Sequence, residues 1–502
     1  MPDKPNIVLL MPDQQRADML GSAGDPIAKT PSTDRLAGEG VQFSNVYVQG
    51  PLCMPARASL LTERYVRDHG VFENMSEVHD AVPTYAQALQ QAGYHTAVIG
   101  KTHFWRHIPP RVKHADERIG QLNGYGFTEV LETVGKEATY FLNTKYTDFL
   151  ESRDLLDTYR DYLGSRQKHK RKAAPDVPPY RAWQADPIPL PLDAYQDAWL
   201  GDFTAEWLEN YDGDKPFFVQ IGFPGPHDPW DAPQEAVDWY DGVDIPMPGS
   251  LKRPEVPESG PLSIFLRAFL RYCDSETMTD EAIVKLRRAY YANMSIIDRS
   301  IKKIVDALER TGRLENTWVI YTSDHGEMMG EHRMIKKMVF FDQAVKVPLI
   351  IRPPAGTKAG QVDDLIQHMD ISATIRDIAD AELPTSEGRS LLPAVTGEGA
   401  APDHKVAISE SYGMGMFKTD RYKLVVYEDE RTPAQLFDSE TDPLEDNNLV
   451  DDPKHADVVD GMMDEHVLPF LSYRPLRPHR SLIERQTVGG SVFYLPDPAD
   501  FN

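Results

Sequence analysis

Cysteine is scarce in this chain: Cys53 and Cys273 are the only two among 502 residues. Two thiols cannot build a disulfide framework, which fits a reducing compartment and leaves each as a small buried hydrophobe or a group with special chemistry. Positive charge is also short. Lys and Arg number 53 against 78 Asp and Glu, a formal net charge of −25. That balance excludes a nucleic-acid-binding surface, which needs clustered cations to displace counterions from phosphates, but it leaves room for local basic pockets. No apolar run reaches the ~18 residues of a membrane span, and "MPDKPNIVLLM" turns strand-like too early for a secretory leader. The expected address is therefore the cytoplasm, with no membrane partner, and the sequons at Asn74 and Asn293 then carry no weight.

Apolar residues, by contrast, make up 41% of the chain, enough for a large core. Short β-type runs alternate with helical patterns: "NIVLLM", "PSTDRLAGEG", "VQFSNVYV", "VPTYAQALQQAG", "YHTAVIG". The alternation continues with "YQDAWLGDFTAEWLENY" before "PFFVQIGF", and with a long periodic segment from Glu281 to Arg310 before "TWVIYTSDHGE". This predicts an α/β fold, a large mostly parallel sheet sandwiched by helices. The expected catalytic domain spans 1–385, with an insertion at about 104–191 where Pro-rich stretches loosen the pattern and the basic run Lys168–Lys172 reads as a solvated loop. Short strands such as "HKVAISE" and "YKLVVYE" then predict a smaller C-terminal α+β domain at 386–474. The tail, 475–502, has no room for a core. Its Leu482, Ile483, Val492, Phe493, Tyr494 and Leu495 suggest packing on another subunit, hence a homo-oligomer, dimer or tetramer.

Ligands of a parallel sheet gather at the carboxyl ends of its strands. Asp13 and Gln14 follow "NIVLLMP", Lys101 and His103 follow "HTAVIG", His227 follows "FFVQIGFPGP", and Asp324 and His325 follow "WVIYTS". Two carboxylates, an amide oxygen and an imidazole form a donor set for a hard divalent cation such as Ca2+ or Mn2+. Taken singly the residues say little, since an Asp after a strand is commonly a helix cap. Adjacent Asp324 and His325 on a glycine turn are harder to dismiss.

One stretch adds more. In "PLCMPARASLLTERY" the rare Cys53 is followed at fixed offsets by Pro55 and Arg57. This C-x-P-x-R, with "NIVLLMPDQQRADMLG", "AGYHTAVIGKTHF", "GFPGPHDPW" and "YTSDHGEMMGEHRMIKKMVFFDQAVKVPLII" in the same order, resembles the formylglycine-dependent sulfatases of the alkaline phosphatase superfamily. Within that group the chain is similar to the choline-sulfatase-like sulfatases and to phosphonate monoester hydrolases.

The resemblance implies that a maturation (formylglycine-generating) enzyme oxidises Cys53 to formylglycine. It implies one divalent cation held by Asp13, Gln14, Asp324 and His325, with Arg57 stabilising the formylglycine. Lys101 and His103 would flank it, and His103 would be the base for sulfate release. His227 and Lys337 would neutralise or protonate the leaving oxygen, although Lys336, next to Lys337, is an alternative. The implied substrate is a small-molecule sulfate ester, with phosphonate monoesters and phosphodiesters as the competing class. Gln14 and His325 depart from the Asp and Asn that many sulfatases carry there. "GKTHF", with charged Lys101 and His103, favours sulfate over phosphonate.

Overall fold

In the computed structural model, residues 4–107, 112–171, 181–258, 260–357, 359–428 and 431–473 are described. The first apolar run becomes β1, Asn6–Asp13, buried from Ile7 onward, as expected of a central strand covered on both faces. Seven more strands join it: β2 (Val41–Tyr47), β3 (His95–Gly100), β4 (Glu129–Glu132), β5 (Phe217–Pro226), β6 (Thr317–Thr322), β7 (Lys346–Arg352) and β8 (Gly360–Gln367). Their order in the sheet is β4-β3-β5-β1-β6-β7-β2-β8. The pairings β4–β3, β3–β5, β5–β1, β1–β6 and β2–β8 are parallel, whereas β7 runs antiparallel to both β6 and β2.

Helices flank the sheet in two groups. Gln196–Asn210 and Asp280–Arg310 pack on each other and on β5, while Tyr85–Gln91, Cys53–Thr62 and Asp370–Ala379 contact one another. Their ends follow local chemistry. The Thr84 hydroxyl and Gln87 side chain form a capping box at Tyr85–Gln91, and Thr279 caps the long helix, which opens on Asp280 and Glu281 and closes on Arg310.

Two sequence expectations change here. The segment expected to lie over the sheet adds a strand to it, because "EVLE" pairs with β3 through Ala97–Gly100. Four residues with a Glu at each end are too short and too polar to read as a strand in isolation. The basic run expected as a loop begins inside helix Leu156–Arg171. Lys and Arg form helices well, and a helix C-terminus favours cations.

A second sheet, antiparallel and ordered β12-β11-β10-β9, comprises β9 (Ala407–Ser411), β10 (Met414–Lys418), β11 (Tyr422–Tyr427) and β12 (Thr432–Asp438). Phe417, Leu424, Val426 and Leu436 meet Val459, Met462, Val467 and Leu471 in a separate core cluster. No helix among the described residues is long and apolar enough to cross a membrane. The tail expected to join subunits, 475–502, lies outside the described residues.

Candidate active site

Strands β3, β5, β1 and β6 are consecutive in the sheet and parallel, so their carboxyl ends open side by side. Asp13 closes β1, Lys101 follows β3, His227 follows β5, and Asp324 and His325 follow β6. Strand order therefore gathers residues that are hundreds of positions apart. Close approach at one point depends on glycine. Gly100 and Gly222 face each other across β3 and β5, Gly100 has φ +102°, and a Cβ on it would overlap the Gly222 carbonyl. The Lys101 N–H donates to that same carbonyl at 2.8 Å.

Cys53 opens helix Cys53–Thr62, every residue of which is buried. Pro55 lies in the first turn, where its missing N–H costs nothing. The Met54 N–H is already taken by Asn74 Oδ1 at 3.0 Å, so the first turn offers an anion fewer amides than a bare helix end would. Arg57 is one turn beyond Cys53 and on the same face. Its Nε donates to Asp324 Oδ2 at 2.7 Å and its Nη2 to Asp13 Oδ2 at 3.0 Å, while Nη1 donates to the Lys101 carbonyl at 2.8 Å. One guanidinium thus ties together three strand ends.

The second oxygen of Asp13 is turned toward Cys53, whose Sγ lies 3.9 Å from Oδ1 and 3.1 Å from His325 Nε2. Ligating atoms of Asp13, Cys53, Asp324 and His325 all lie within 4.8 Å of one another. Two details suit this set to a hard cation. His325 Nδ1 donates to the Gly326 carbonyl at 2.9 Å, which leaves the Nε2 lone pair facing the cluster. The donors are oxygen and nitrogen, as Ca2+ or Mn2+ prefers; the Cys53 sulfur stands where the resemblance puts a formylglycine oxygen. The Gln14 oxygen, expected among the cation's donors, accepts from Lys337, while its amide nitrogen donates to Glu327.

Lys337 Nζ lies 2.6 Å from His227 Nε2, and His227 Nδ1 donates to the Asp228 carbonyl at 2.6 Å. Lys336 turns away to pair with Asp228, so of the two adjacent lysines it is Lys337 that reaches the cluster. Lys101 Nζ is 2.5 Å from Asp13 Oδ2. His103 stacks on His107 with centroids 4.7 Å apart, and its buried Nδ1 has no hydrogen-bond partner among the described residues.

Electrostatics follow from this crowding. Burial alone would raise Cys53, but Lys337, Lys101 and His325 outweigh it and hold the thiol well below its ordinary value. Burial and Cys53 likewise push Asp13 upward, yet Lys101, His227 and Arg57 keep it ionised. Burial draws His103 down to about 4, so the imidazole is neutral and able to accept a proton. Burial would also lower His325, but Asp324 and Cys53 raise it.

All ten residues expected at the site converge on this one place. Glu327 was missed. Its carboxylate accepts from Gln14 Nε2 and from the backbone N–H of Met329 and Lys336, and burial raises it. Its only signal was its place in "SDHGE", where it reads as an ordinary exposed acid. Also invisible in sequence were the left-handed backbones of Gln14 (φ 70°), His103 (φ 52°) and Lys336 (φ 75°), uncommon for residues with side chains.

An eight-stranded mixed sheet with carboxylates, cations and a helix-start cysteine at its strand ends defines an alkaline-phosphatase-like fold. Within that class the chain belongs to the sulfatase family. The sulfatase model matches residues 5–381, and that of the C-terminal part of N-sulphoglucosamine sulphohydrolase matches 330–468. The chain is 29% identical to an arylsulfatase of Clostridium perfringens over 91% of its own length and 92% of that protein's. It is 30% identical to a choline-sulfatase of Rhizobium meliloti over 90% and 83%. Among solved structures, a phosphonate monoester hydrolase of Agrobacterium radiobacter superposes with a TM-score of 0.75 at 25% identity, covering 94% of this chain and 96% of that one.

Proposed function

We propose that this chain hydrolyses a small-molecule sulfate monoester, using formylglycine made from Cys53 and one divalent cation held by Asp13, Gln14, Asp324 and His325. The observation that carries the reading is Arg57, one turn after Cys53, bridging both carboxylates of the donor set. C-x-P-x-R lying directly against two buried carboxylates supports that reading. Formylglycine at position 53 would supply, as its hydrate, a hydroxyl nucleophile and a second hydroxyl whose loss of a proton would let the C–O bond to sulfate break and the aldehyde return, and a divalent cation would supply charge compensation.

The chain's own groups divide the remaining work. Arg57 holds Asp13 and Asp324 in place. Lys101, beside Asp13, faces the nonbridging oxygens of sulfate. His103, neutral through burial, accepts the proton whose loss releases the product. His227 and Lys337, in contact with each other, supply positive charge and a proton to the departing alcohol oxygen.

A second reading, a phosphonate monoester hydrolase or phosphodiesterase, draws on the likeness to the Agrobacterium enzyme. Lys101 and His103 weigh against it, since they crowd the extra substituent on such a phosphorus centre. Assay of aryl and alkyl sulfates, phosphonate monoesters and phosphodiesters separates the two. Sulfates are expected to give the highest kcat/KM, with the others as weaker side activities, and preference for a phosphonate over every sulfate would replace the first reading by the second. Peptide mass spectrometry of active protein should find formylglycine at position 53 after exposure to a maturation enzyme. Full activity with only cysteine there would reject the mechanism.

A further inference from the structure

Lys136 is almost completely buried, with 3% of its surface exposed, and nothing in the proposed chemistry uses it. It sits in the short turn after β4. Its Nζ lies 2.6 Å from Tyr195 Oη, 2.9 Å from Asn293 Oδ1, 3.2 Å from Asp231 Oδ1 and 3.2 Å from the His227 carbonyl, with the Pro229 carbonyl at 3.4 Å. Five acceptors thus surround three protons, and two of the five are backbone carbonyls of the segment that carries His227. An ammonium is expensive to bury unless its partners need it there.

The partners define what is being held. Asp231, which receives Tyr195 Oη at 2.8 Å, ends the segment 225–231. At the other end the Gly225 N–H donates to Asp197 Oδ1 at 2.9 Å, and Asp197 in turn accepts from Asn293 Nδ2 at 2.9 Å. Residues 225 and 231 are therefore anchored to the core, and Lys136 grips the middle at His227 and Pro229. The same turn touches a second site group, because a Cβ built on Gly135 would lie 3.4 Å from Lys101 Nζ. We propose that Lys136 is a positioning residue: through the His227 and Pro229 carbonyls it sets the height of the His227 loop, and so places the imidazole against Lys337 and the leaving oxygen. The assignment rests on the proton-supplying role given above to the His227–Lys337 pair.

Lys136→Met alone strands the Asp231 carboxylate in the core and invites misfolding, so the informative variant is Lys136→Met with Asp231→Asn, which removes both charges together. Its kcat/KM is measured over sulfate esters of graded leaving-group acidity, beside His227→Ala and the triple combination. Loss of about 10²-fold is expected for the least acidic alcohol, against under about fivefold for 4-nitrophenyl sulfate, which departs without a proton. Adding the pair of changes to His227→Ala should steepen the dependence no further. In protein labelled with 13C at histidine Cε1, the His227 resonance, assigned by its absence in His227→Ala, should shift in the double variant. A loss uniform across the series with an unmoved His227 resonance overturns the proposal and leaves Lys136 as scaffold. Should His227→Ala itself show no steepening, the proton-supplying role falls, and the resonance alone then decides whether Lys136 positions His227.

Discussion

Among the clusters of charge that lie out of water in the described residues, two are balanced in opposite senses. At the strand ends, the carboxylates Asp13 and Asp324 meet Arg57 and Lys101, with Lys337 close by. At the junction of the two sheets, a single buried ammonium, Lys423 on β11, meets Asp342 and Glu445. The first has cation to spare, and Cys53, His103 and His325 crowd into it. The second has acid to spare and involves no nucleophile. Surplus positive charge waits for an anionic substrate, whereas surplus acid is neutralised by a proton. Burial and Asp342 push Glu445 up to about 7 against the pull of Lys423, while Lys423 and Lys346 overcome burial and take Asp342 down to about 2. Burial of charge thus marks both places, and only the direction of the imbalance separates a site for chemistry from a structural joint.

The sharpest break of the comparison is Cys53→Ala. It should lower turnover by about 10⁵-fold or more, the scale of removing a covalent nucleophile, and leave the melting temperature within a few degrees of the parent. A matching collapse of stability would mean that the cysteine belongs to the core. Next comes Asp324→Ala, expected to lose about 10³-fold in kcat/KM and to drop bound cation below one per chain by elemental analysis. Chelation of the parent should mimic it, with Ca2+ or Mn2+ restoring activity; metal-free protein that stays active would sink the cation site.

A smaller effect is expected from replacing Lys101 and His103 by neutral residues. Sulfate turnover should fall by about 10²-fold, and phosphonate turnover by distinctly less, because only the compact sulfate uses both groups fully. Equal losses on both substrates would remove the argument for sulfate specificity.

The smallest effect belongs to the other cluster. Glu445 binds its proton more tightly in the folded chain than in the unfolded one, so stability falls as pH rises from 4.5 to 7 and strips that proton. Glu445→Gln should flatten this part of the profile, changing the fall by about 1–3 kcal/mol, without altering kcat. Asp342 acts in the opposite sense and lower down, its contribution being lost only as pH drops toward 2. An unchanged slope in Glu445→Gln would show that the junction takes no part in pH-dependent stability.

Legibility from sequence followed residue type. Strand ends could be read because an apolar run of buried-strand length stops abruptly at Asp13, Lys101 or Asp324, and C-x-P-x-R could be read because it resembles the signature of a known family. Glu327 and Lys136 could not be read. Each is a common charged residue in a polar neighbourhood, and what distinguishes it is burial against partners far along the chain, Gln14 in one case and His227 in the other. "EVLE" escaped for the same reason, since its pairing with β3 is what makes it a strand.

Sequence alone determined the alternation of strands and helices and the chemical identity of every group at the site, because periodicity and side-chain type are local properties. Tertiary structure decided which strand ends became neighbours, that Lys337 and not Lys336 turns to His227, and which of two buried charge clusters has cation to spare. Those outcomes depend on strand order and on the loss of water around groups brought together from distant positions, and neither is written in any short stretch of residues.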